Sequence, residues 1–301
     1  MASHESGALD TLYRDWARRM ADDPTMSIEA FRALFEEWPS VTAVPADVDF
    51  SDDTAGDIPV TWARPAQSSA GLLICLHGGG YVTGSRASHA KMFGHIAAAA
   101  RTPAMIVDYR RAPEAPYPSA LNDSLTCFRW ALDNGIDSRA IAFVGDSAGG
   151  GLCVGSALAC LRDHLPMPSA LFLMSPWLDL AALGASYDTN AGNDLIVSRA
   201  VIEGLVPALL GAEGRIDDPI ANPILADPTG LPPTLIQVGG YESFLDDSRV
   251  FASNARKAGV EIDLEIVPEM QHVFHFLGGT APEADEAIRR AGDWLSARLR
   301  P

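Results

Sequence analysis

The sequence predicts an α/β fold in which a mostly parallel sheet carries helices on both faces. Short apolar runs of strand length alternate with helix-like segments from about residue 71 to 180, and the alternation resumes at Thr234. Such alternation places successive strands in parallel and covers both faces of the sheet. The chain has 301 residues, enough for one large domain, which we predict to span residues 1–301.

Two helices and two strands are predicted ahead of this alternation. Apolar residues recur at helical spacing from Leu9 to Met20 and again from Ile28 to Trp38, which indicates two amphipathic helices. Two edge strands are predicted to follow them, near residues 42–50 and 57–63. Taken alone, the apolar faces of the two helices would be ordinary core faces.

The first chemical signal is the sequence GDSAG at residues 145–149, which follows an apolar run of strand length. The small, apolar segment at 149–161 predicts a helix directly after it. A serine on a sharp turn between a strand and a helix is held outward as a nucleophile, and the flanking glycines avoid collisions in the turn. The pattern predicts Ser147 as the nucleophile and Asp146 as a structural residue that bonds to the surrounding loop.

The second signal is the sequence HGGG at residues 77–80, which also follows an apolar run. Glycines let backbone N–H groups approach a ligand closely. A flexible loop or a phosphate-binding loop would use similar residues, but the G-x-G-x-x-G spacing of the latter is missing. The predicted donors to a substrate oxyanion are the N–H groups of Gly79, Gly80 and Ala148. His77 and Gly78 are predicted to support this loop.

A serine hydroxyl needs a base, and the base needs an orienting carboxylate. In chains with this serine turn, the acid and then the histidine follow the serine. His164 falls at the end of the predicted helix after Ser147, which indicates a solvated or capping residue, and His275 falls where a helix begins, which indicates a core or surface imidazole. His272 follows an alternating strand at 261–267 and a turn, so we predict it as the base.

The acid is predicted in the loop that follows the apolar run at 234–238. Glu242 belongs to that loop, which favours it. Asp246 and Asp247 precede a helix-like segment and suit a helix N-terminus, where carboxylates stabilise the helix dipole. Glu242 is therefore the preferred acid, Asp246 the alternative and Asp247 the third candidate.

Further motifs accompany these two signals. They are DYRRAPE at 108–114, GDSAGG at 145–150, SPWLD at 175–179 and HVF at 272–274. With HGGG at 77–80, they cover about residues 70–280. On these residues the sequence resembles the hormone-sensitive-lipase-like family of α/β-hydrolases, in its bacterial esterase form. Most members have Asp where this chain has Glu242, which leaves Asp246 open as the acid.

The resemblance implies a serine carboxylesterase that hydrolyses short- to medium-chain acyl esters through an acyl-enzyme. It also implies a helical cap, formed here by about residues 1–40 and 181–222. The second of these segments is too long for a simple crossover loop and contains a helical pattern near 198–210. Tyr81 and Trp177 are predicted as possible pocket residues. A homodimer is compatible with the resemblance.

Two other functions use the same residues or the same fold. An amidase or an acyltransferase would use the same three catalytic side chains, and fold alone does not separate them. The family also resembles plant hormone receptors that keep the pocket after losing a catalytic residue. The presence of both Ser147 and His272 speaks against such a binding protein.

Composition narrows the choice of partners. The net charge of −17 argues against nucleic acid and anionic membrane surfaces as partners. No stretch approaches the roughly 20 apolar residues of a membrane span, and the first residues lack the pattern of a signal peptide, so we predict a cytoplasmic enzyme. No cofactor or metal is expected, because the cysteines form no metal-ligand spacing; they are Cys75, Cys127, Cys153 and Cys160.

Overall fold

The computed structural model describes residues 2–299, which contain one eight-stranded sheet. Its strands are β1 (Val48–Ala55), β2 (Ile58–Pro65), β3 (Leu72–Leu76), β4 (Ala104–Val107), β5 (Ile141–Asp146), β6 (Ala170–Met174), β7 (Thr234–Gly239) and β8 (Ile262–Val267). Their spatial order is β1-β2-β4-β3-β5-β6-β7-β8. β2 pairs antiparallel with β1 and β4, and all other neighbouring strands pair in parallel. The predicted α/β fold with a mostly parallel sheet is confirmed.

Helices cover both faces of the sheet. Between residues 2 and 299 they are α1 (Gly7–Asp22), α2 (Ile28–Phe35), α3 (Arg86–Ala100), α4 (Ser119–Asp133), α5 (Ala148–Arg162), α6 (Ser186–Thr189), α7 (Arg199–Leu210), α8 (Leu245–Lys257) and α9 (Pro282–Ser296). Successive residues of a strand face opposite sides, so Ile74 joins the core under α4 and α5, whereas Leu73 and Cys75 join the core under α3 and α9.

The prediction of the first edge strand at 42–50 was wrong, because β1 begins at Val48 and runs to Ala55. Most side chains of β1 are exposed, so the strand has no apolar alternation for a sequence pattern to detect. β1 forms instead by pairing with β2 in a hairpin that begins at the pair Ala55 and Ile58. The second edge strand, predicted at 57–63, is β2.

The segments predicted as a cap lie next to the carboxyl ends of the parallel strands. α1 buries Leu9, Tyr13 and Trp16, and a short 3₁₀ helix at Trp38–Ser40 follows α2. The segment 181–222 contains α6 and α7. Within residues 2–299, no helix has both the length and the apolar character needed to cross a membrane.

Candidate active site

Ser147 occupies the turn between β5 and α5. Its backbone has φ 52° and ψ −121°, which is a strained conformation for a residue with a side chain. The turn is tight: a Cβ on Gly149 would lie 1.9 Å from the carbonyl oxygen of Leu76, and one on Gly145 would lie 2.4 Å from that of Gly149. The two glycines of the motif therefore permit the close approach of strand and helix that holds Ser147 in place.

His272 lies in the loop after β8 and contacts Ser147 directly. Its Nε2 is 2.9 Å from Ser147 Oγ, and its Nδ1 is 2.8 Å from Glu242 Oε2. Both contacts are hydrogen bonds when the imidazole is neutral with its proton on Nδ1. The Nδ1–H then donates a hydrogen bond to the Glu242 carboxylate, and Nε2 accepts one from the Ser147 hydroxyl. The structure thus brings together the three residues predicted as nucleophile, base and preferred acid.

Glu242 is fully buried in the loop after β7. Its Oε1 accepts hydrogen bonds from the Ser175 hydroxyl, at 2.6 Å, and from the Gly239 N–H. Burial raises the pKa of Glu242 above its usual value, and the hydrogen bonds from His272, Ser175 and Gly239 oppose that effect. Burial alone would lower the pKa of His272, but the hydrogen bond and charge of Glu242 outweigh it and the net pKa is raised.

The other candidates for the acid bond elsewhere. Asp246 Oδ2 accepts the Ser186 N–H at 2.9 Å, which ties the start of α8 to α6. Asp247 Oδ2 accepts the N–H groups of Leu178 and Asp179 at 3.2 and 3.0 Å. Both side chains therefore fix the loop after β6 and the segment that follows it.

The other candidate histidines also lie apart from Ser147. His164 follows the end of α5 with a φ of 55°. His275 is fully buried in a 3₁₀ helix at Phe274–Leu277, and its Nε2 is 2.8 Å from Gln237 Oε1. Burial lowers the pKa of His275 to about 3, so this imidazole is neutral at ordinary pH.

The HGGG loop follows β3 and faces Ser147. Gly79 and Gly80 have φ values of 105° and 62°, a region that glycine adopts without strain. A Cβ on Gly79 would lie 2.4 Å from the carbonyl oxygen of Thr83. Within residues 2–299, the N–H groups of Gly79 and Gly80 have no hydrogen-bond acceptor. Ala148 begins α5, where the first N–H groups have no intrahelical acceptor.

Asp146, Gly78 and His77 hold this loop against the serine turn. Asp146 Oδ1 accepts the Gly78 N–H at 3.0 Å, and a Cβ on Gly78 would lie 2.2 Å from Asp146 Oδ2. His77 stacks on the ring of Tyr109 at 4.0 Å, and the Tyr109 hydroxyl donates to the His77 carbonyl at 2.6 Å. These contacts fix the loop beside the turn that carries Ser147.

A cavity opens over Ser147 and His272. Its walls are mainly apolar and come from α2, α7 and the loops around them. The lining side chains from these parts are Phe31, Phe35, Trp38, Ile196, Val197, Val201, Ile202 and Leu205. The remaining lining comes from the loops around Ser147 and His272: Gly79, Gly80, Thr83, Asp146, Trp177, Phe244 and Val273. Tyr81, predicted with Trp177 as a pocket residue, lies outside this lining and belongs to a neighbouring cavity.

Sequence reasoning missed two residues that hold the histidine loop. Ser175 Oγ, besides donating to Glu242, accepts the Val273 N–H at 3.1 Å. The Tyr13 hydroxyl, from α1, donates to the His272 carbonyl at 2.9 Å. Ser175 could have been found, because a small polar residue directly after a buried parallel strand lies at the edge where ligands bind. Tyr13 gives no such signal, because its partner is far away in the sequence.

A serine, histidine and carboxylate at the carboxyl ends of a parallel sheet are typical of serine hydrolases with the α/β hydrolase fold. Comparison with known proteins agrees with that class. The model of a family described by its α/β hydrolase fold matches residues 73–276. An acetyl-hydrolase of Streptomyces hygroscopicus is 39% identical to this chain over 298 residues, which cover 98% of this chain and 97% of the relative.

Two further proteins extend the comparison. An esterase of Acinetobacter venetianus is 34% identical over 233 residues, which cover 77% of each chain. The crystal structure of an esterase from the bacterial hormone-sensitive lipase family superposes with a TM-score of 0.94 at 35% identity, over 100% of both chains. The chain therefore belongs to the bacterial hormone-sensitive lipase family of α/β hydrolases, as the resemblance predicts. Its activity is that of a carboxylic ester hydrolase.

Proposed function

We propose that the chain hydrolyses esters through an acyl-enzyme formed on Ser147, with His272 as the base and Glu242 as the acid that orients it. The observation that carries this proposal is the unbroken hydrogen-bond chain from Ser147 Oγ through the imidazole to Glu242. Asp246 is not needed for this arrangement, because its carboxylate bonds to the Ser186 backbone.

In the first half of the reaction, Ser147 Oγ attacks the ester carbonyl while its proton moves to His272 Nε2. Glu242 stabilises the imidazolium that results. The N–H groups of Gly79, Gly80 and Ala148 stabilise the oxyanion, and each such donor typically contributes about 3 to 4 kcal/mol at the transition state. The intermediate then collapses: the bond from the carbonyl carbon to the alcohol oxygen breaks, the imidazolium gives its proton to that oxygen, and the acyl group stays on Ser147 Oγ.

In the second half, a water molecule replaces the alcohol. His272 Nε2 takes a proton from the water as the water oxygen attacks the acyl carbonyl. The same N–H groups stabilise the second oxyanion. Collapse of that intermediate releases the carboxylic acid and returns the proton to Ser147.

The substrates that fit best are neutral esters with short to medium acyl chains. The mainly apolar, partly closed cavity supports this class, and so does the similarity to an acetyl-hydrolase. The net charge of −17 disfavours anionic esters. Turnover of p-nitrophenyl acetate, butyrate and palmitate tests the chain-length preference, and palmitate as the best substrate would contradict it.

The cap is proposed to consist of about residues 1–40 and 181–222, within a single domain of residues 1–301. Phe31, Phe35 and Trp38 from the first segment and Ile202 and Leu205 from the second contribute to the cavity wall, which supports a covering role. The cap would limit the access of bulk water to the acyl-enzyme.

An organophosphate label distinguishes the enzyme from a binding protein on the same fold. We expect the label to attach to Ser147 of the wild-type protein and to be absent from Ser147→Ala, as measured by mass spectrometry of the labelled peptide. Product analysis with competing amines or alcohols then separates hydrolysis from acyl transfer. A folded wild-type protein that takes up no label at Ser147 would favour the binding protein.

The acidic composition of the chain, with a net charge of −17, also bears on its partners. We propose a cytoplasmic enzyme that acts on small molecules without nucleic acid, membrane or cofactor. A homodimer is the assembly compatible with the family, and β8 offers it an unpaired sheet edge. Light scattering across a range of protein concentrations tests the dimer.

A further inference from the structure

A loop at residues 190–198 joins α6 to α7 and contacts both the cavity over the nucleophile and the loop that carries Glu242. Ile196 and Val197 of this α6–α7 loop line the cavity. At the start of the same loop, the Asn190 side-chain amide donates to the Glu242 carbonyl at 2.8 Å. One short segment of the chain therefore joins the substrate cavity to the backbone of the proposed catalytic acid.

Asp194 lies in the middle of the α6–α7 loop, and its two carboxylate oxygens bond to different parts of the chain. Oδ1 accepts the Ile196 and Val197 N–H groups at 3.1 and 2.8 Å, which shapes the turn at the cavity wall. Oδ2 accepts the Ser243 N–H at 2.7 Å. Because Ser243 directly follows Glu242, this single carboxylate links the cavity wall to the acid loop.

Asp194 also acts on His272 through its charge. Burial lowers the pKa of His272, but the hydrogen bond and charge of Glu242 raise it and outweigh burial. The charges of Asp194, in the α6–α7 loop, and of Asp146, at the end of β5, raise this pKa further. Asp194 is half-buried, so solvent ions screen its charge less than they screen a fully exposed carboxylate.

We propose that Asp194 is a positioning residue that acts on the reaction through Glu242, by fixing the backbone directly after it. The proposal rests on the proposed function, in which Glu242 orients His272. Neighbouring groups hold the Glu242 carboxylate, whereas Asp194 holds the next N–H along the chain, that of Ser243. Without this bond the acid loop can shift, and the imidazole then loses part of its alignment with the nucleophile.

Asp194→Asn tests the link to the acid loop, because it can keep the turn at the cavity wall. An amide has one acceptor oxygen, which can still accept the Ile196 and Val197 N–H groups, but its NH2 group then faces the Ser243 N–H, donor against donor. We expect kcat for p-nitrophenyl butyrate to fall about tenfold, the effect of one hydrogen bond to a charged group acting fully on the transition state. KM should stay near the wild-type value, and the acidic limb of kcat/KM should move to lower pH, because a charge that raises the pKa of His272 is lost.

Two further variants separate positioning from stability. Asp194→Ala removes both oxygens, so it should lose kcat by at least the same factor and also raise KM several-fold, because the turn at the cavity wall loses its acceptor. Asp218→Asn is the matched control, since Asp218 is a half-buried aspartate of the same predicted cap segment. Its Oδ1 accepts the Ile220 N–H at 2.9 Å and its Oδ2 accepts the Tyr117 hydroxyl at 2.8 Å. Asp218→Asn should lower the Tm but leave kcat and the acidic limb unchanged.

A double variant shows whether Asp194 acts through the acid. Effects of residues that act through one another are not additive, so Asp194→Asn should lower kcat by less than about twofold in the Glu242→Gln background. Circular dichroism verifies the folding of each variant. If Asp194→Asn does not fold, Asp194→Ser replaces it, because a serine hydroxyl can also form such a turn but is too short to bridge to Ser243.

The outcomes distinguish this proposal from the proposed function. A lower Tm with unchanged kcat and an unchanged acidic limb in Asp194→Asn would overturn the role of Asp194, and so would an equal loss of kcat with Glu242 and with Gln at that position. Either result would leave the proposed function intact, because the wild-type protein would still turn over p-nitrophenyl butyrate. A wild-type protein that hydrolyses no ester would contradict the function itself.

Discussion

The loop after β7 and the first turn of α8 both carry carboxylates, but the two regions use them differently. In the loop, Glu242 is fully buried and bonds to side chains: His272 on one oxygen and Ser175 on the other. In the helix, Asp246 is partly exposed and bonds to the backbone of Ser186. The two carboxylates lie only four residues apart in the chain, so their different roles come from their different hydrogen-bond partners.

The largest expected effect is the loss of activity in Glu242→Gln. Glutamine keeps the size of the side chain but removes the charge that stabilises the imidazolium, and loss of such a carboxylate lowers kcat by about 10⁴-fold in a serine protease triad. Asp246→Asn is the matched control and should change kcat by no more than about threefold. Measurement of kcat for p-nitrophenyl butyrate, with circular dichroism to verify folding, makes the comparison. Collapse of kcat in Asp246→Asn alone would reverse the assignment.

The pH dependence of activity also depends on the contact between Glu242 and His272. His272 accepts a proton only when neutral, so activity falls as the pH drops through its pKa. Because Glu242 raises the pKa of His272 above the ordinary 6.5, the acidic limb of kcat/KM should lie above pH 6.5 in the wild-type protein. In Glu242→Gln, burial remains and lowers the pKa of His272, so the limb should move to lower pH. Identical limbs in both proteins would show that Glu242 does not act on the imidazole.

A smaller effect is expected for Ser175→Ala. Ser175 is a positioning residue in this proposal, because it joins Glu242 to the Val273 backbone beside His272. A hydrogen bond to a charged group is worth about 1.5 to 3 kcal/mol, which corresponds to about 10- to 100-fold in kcat if the whole contribution acts on the transition state. KM should change little, because Ser175 is fully buried and lies outside the cavity lining.

Ser124→Ala is the control for Ser175→Ala. Ser124 is equally buried, but its hydroxyl bonds to that of Ser156, between α4 and α5. Both variants should lose stability, whereas only Ser175→Ala should lose kcat and change the pH profile. If both variants are fully folded and have equal kcat values, Ser175 has only a structural role.

The sequence predicted those parts of the fold and site that depend on residues close to one another in the chain. A buried strand, a tight turn and a helix follow one another around Ser147, so neighbouring residues alone indicate its place. β1 was predicted too early, because its exposed side chains carry no apolar pattern and its position depends on pairing with β2. The contact of Tyr13 with the His272 carbonyl likewise depends on how α1 packs, which no short stretch encodes.

The choice among the acids marks the limit of prediction more sharply. The position of Glu242 in the loop favours it as the acid, and the position of Asp246 at a helix N-terminus favours a structural role. Neither position shows which carboxylate reaches His272. The contact depends on where the loops after β7 and β8 meet, and this is a property of the folded sheet.

The smallest effect on activity is expected for Asp246→Ala, which should change stability instead. The variant loses the bond to the Ser186 N–H and a carboxylate at the N-terminus of α8, together worth about 1 to 2 kcal/mol. The ion pair with Arg249 adds little, because surface pairs contribute weakly. Thermal unfolding should therefore occur at a lower Tm, while kcat stays near the wild-type value because Ser175 and Gly239 hold Glu242 independently of α8. A large loss of kcat at an unchanged Tm would mean that the first turn of α8 and the loop carrying Glu242 act as one unit.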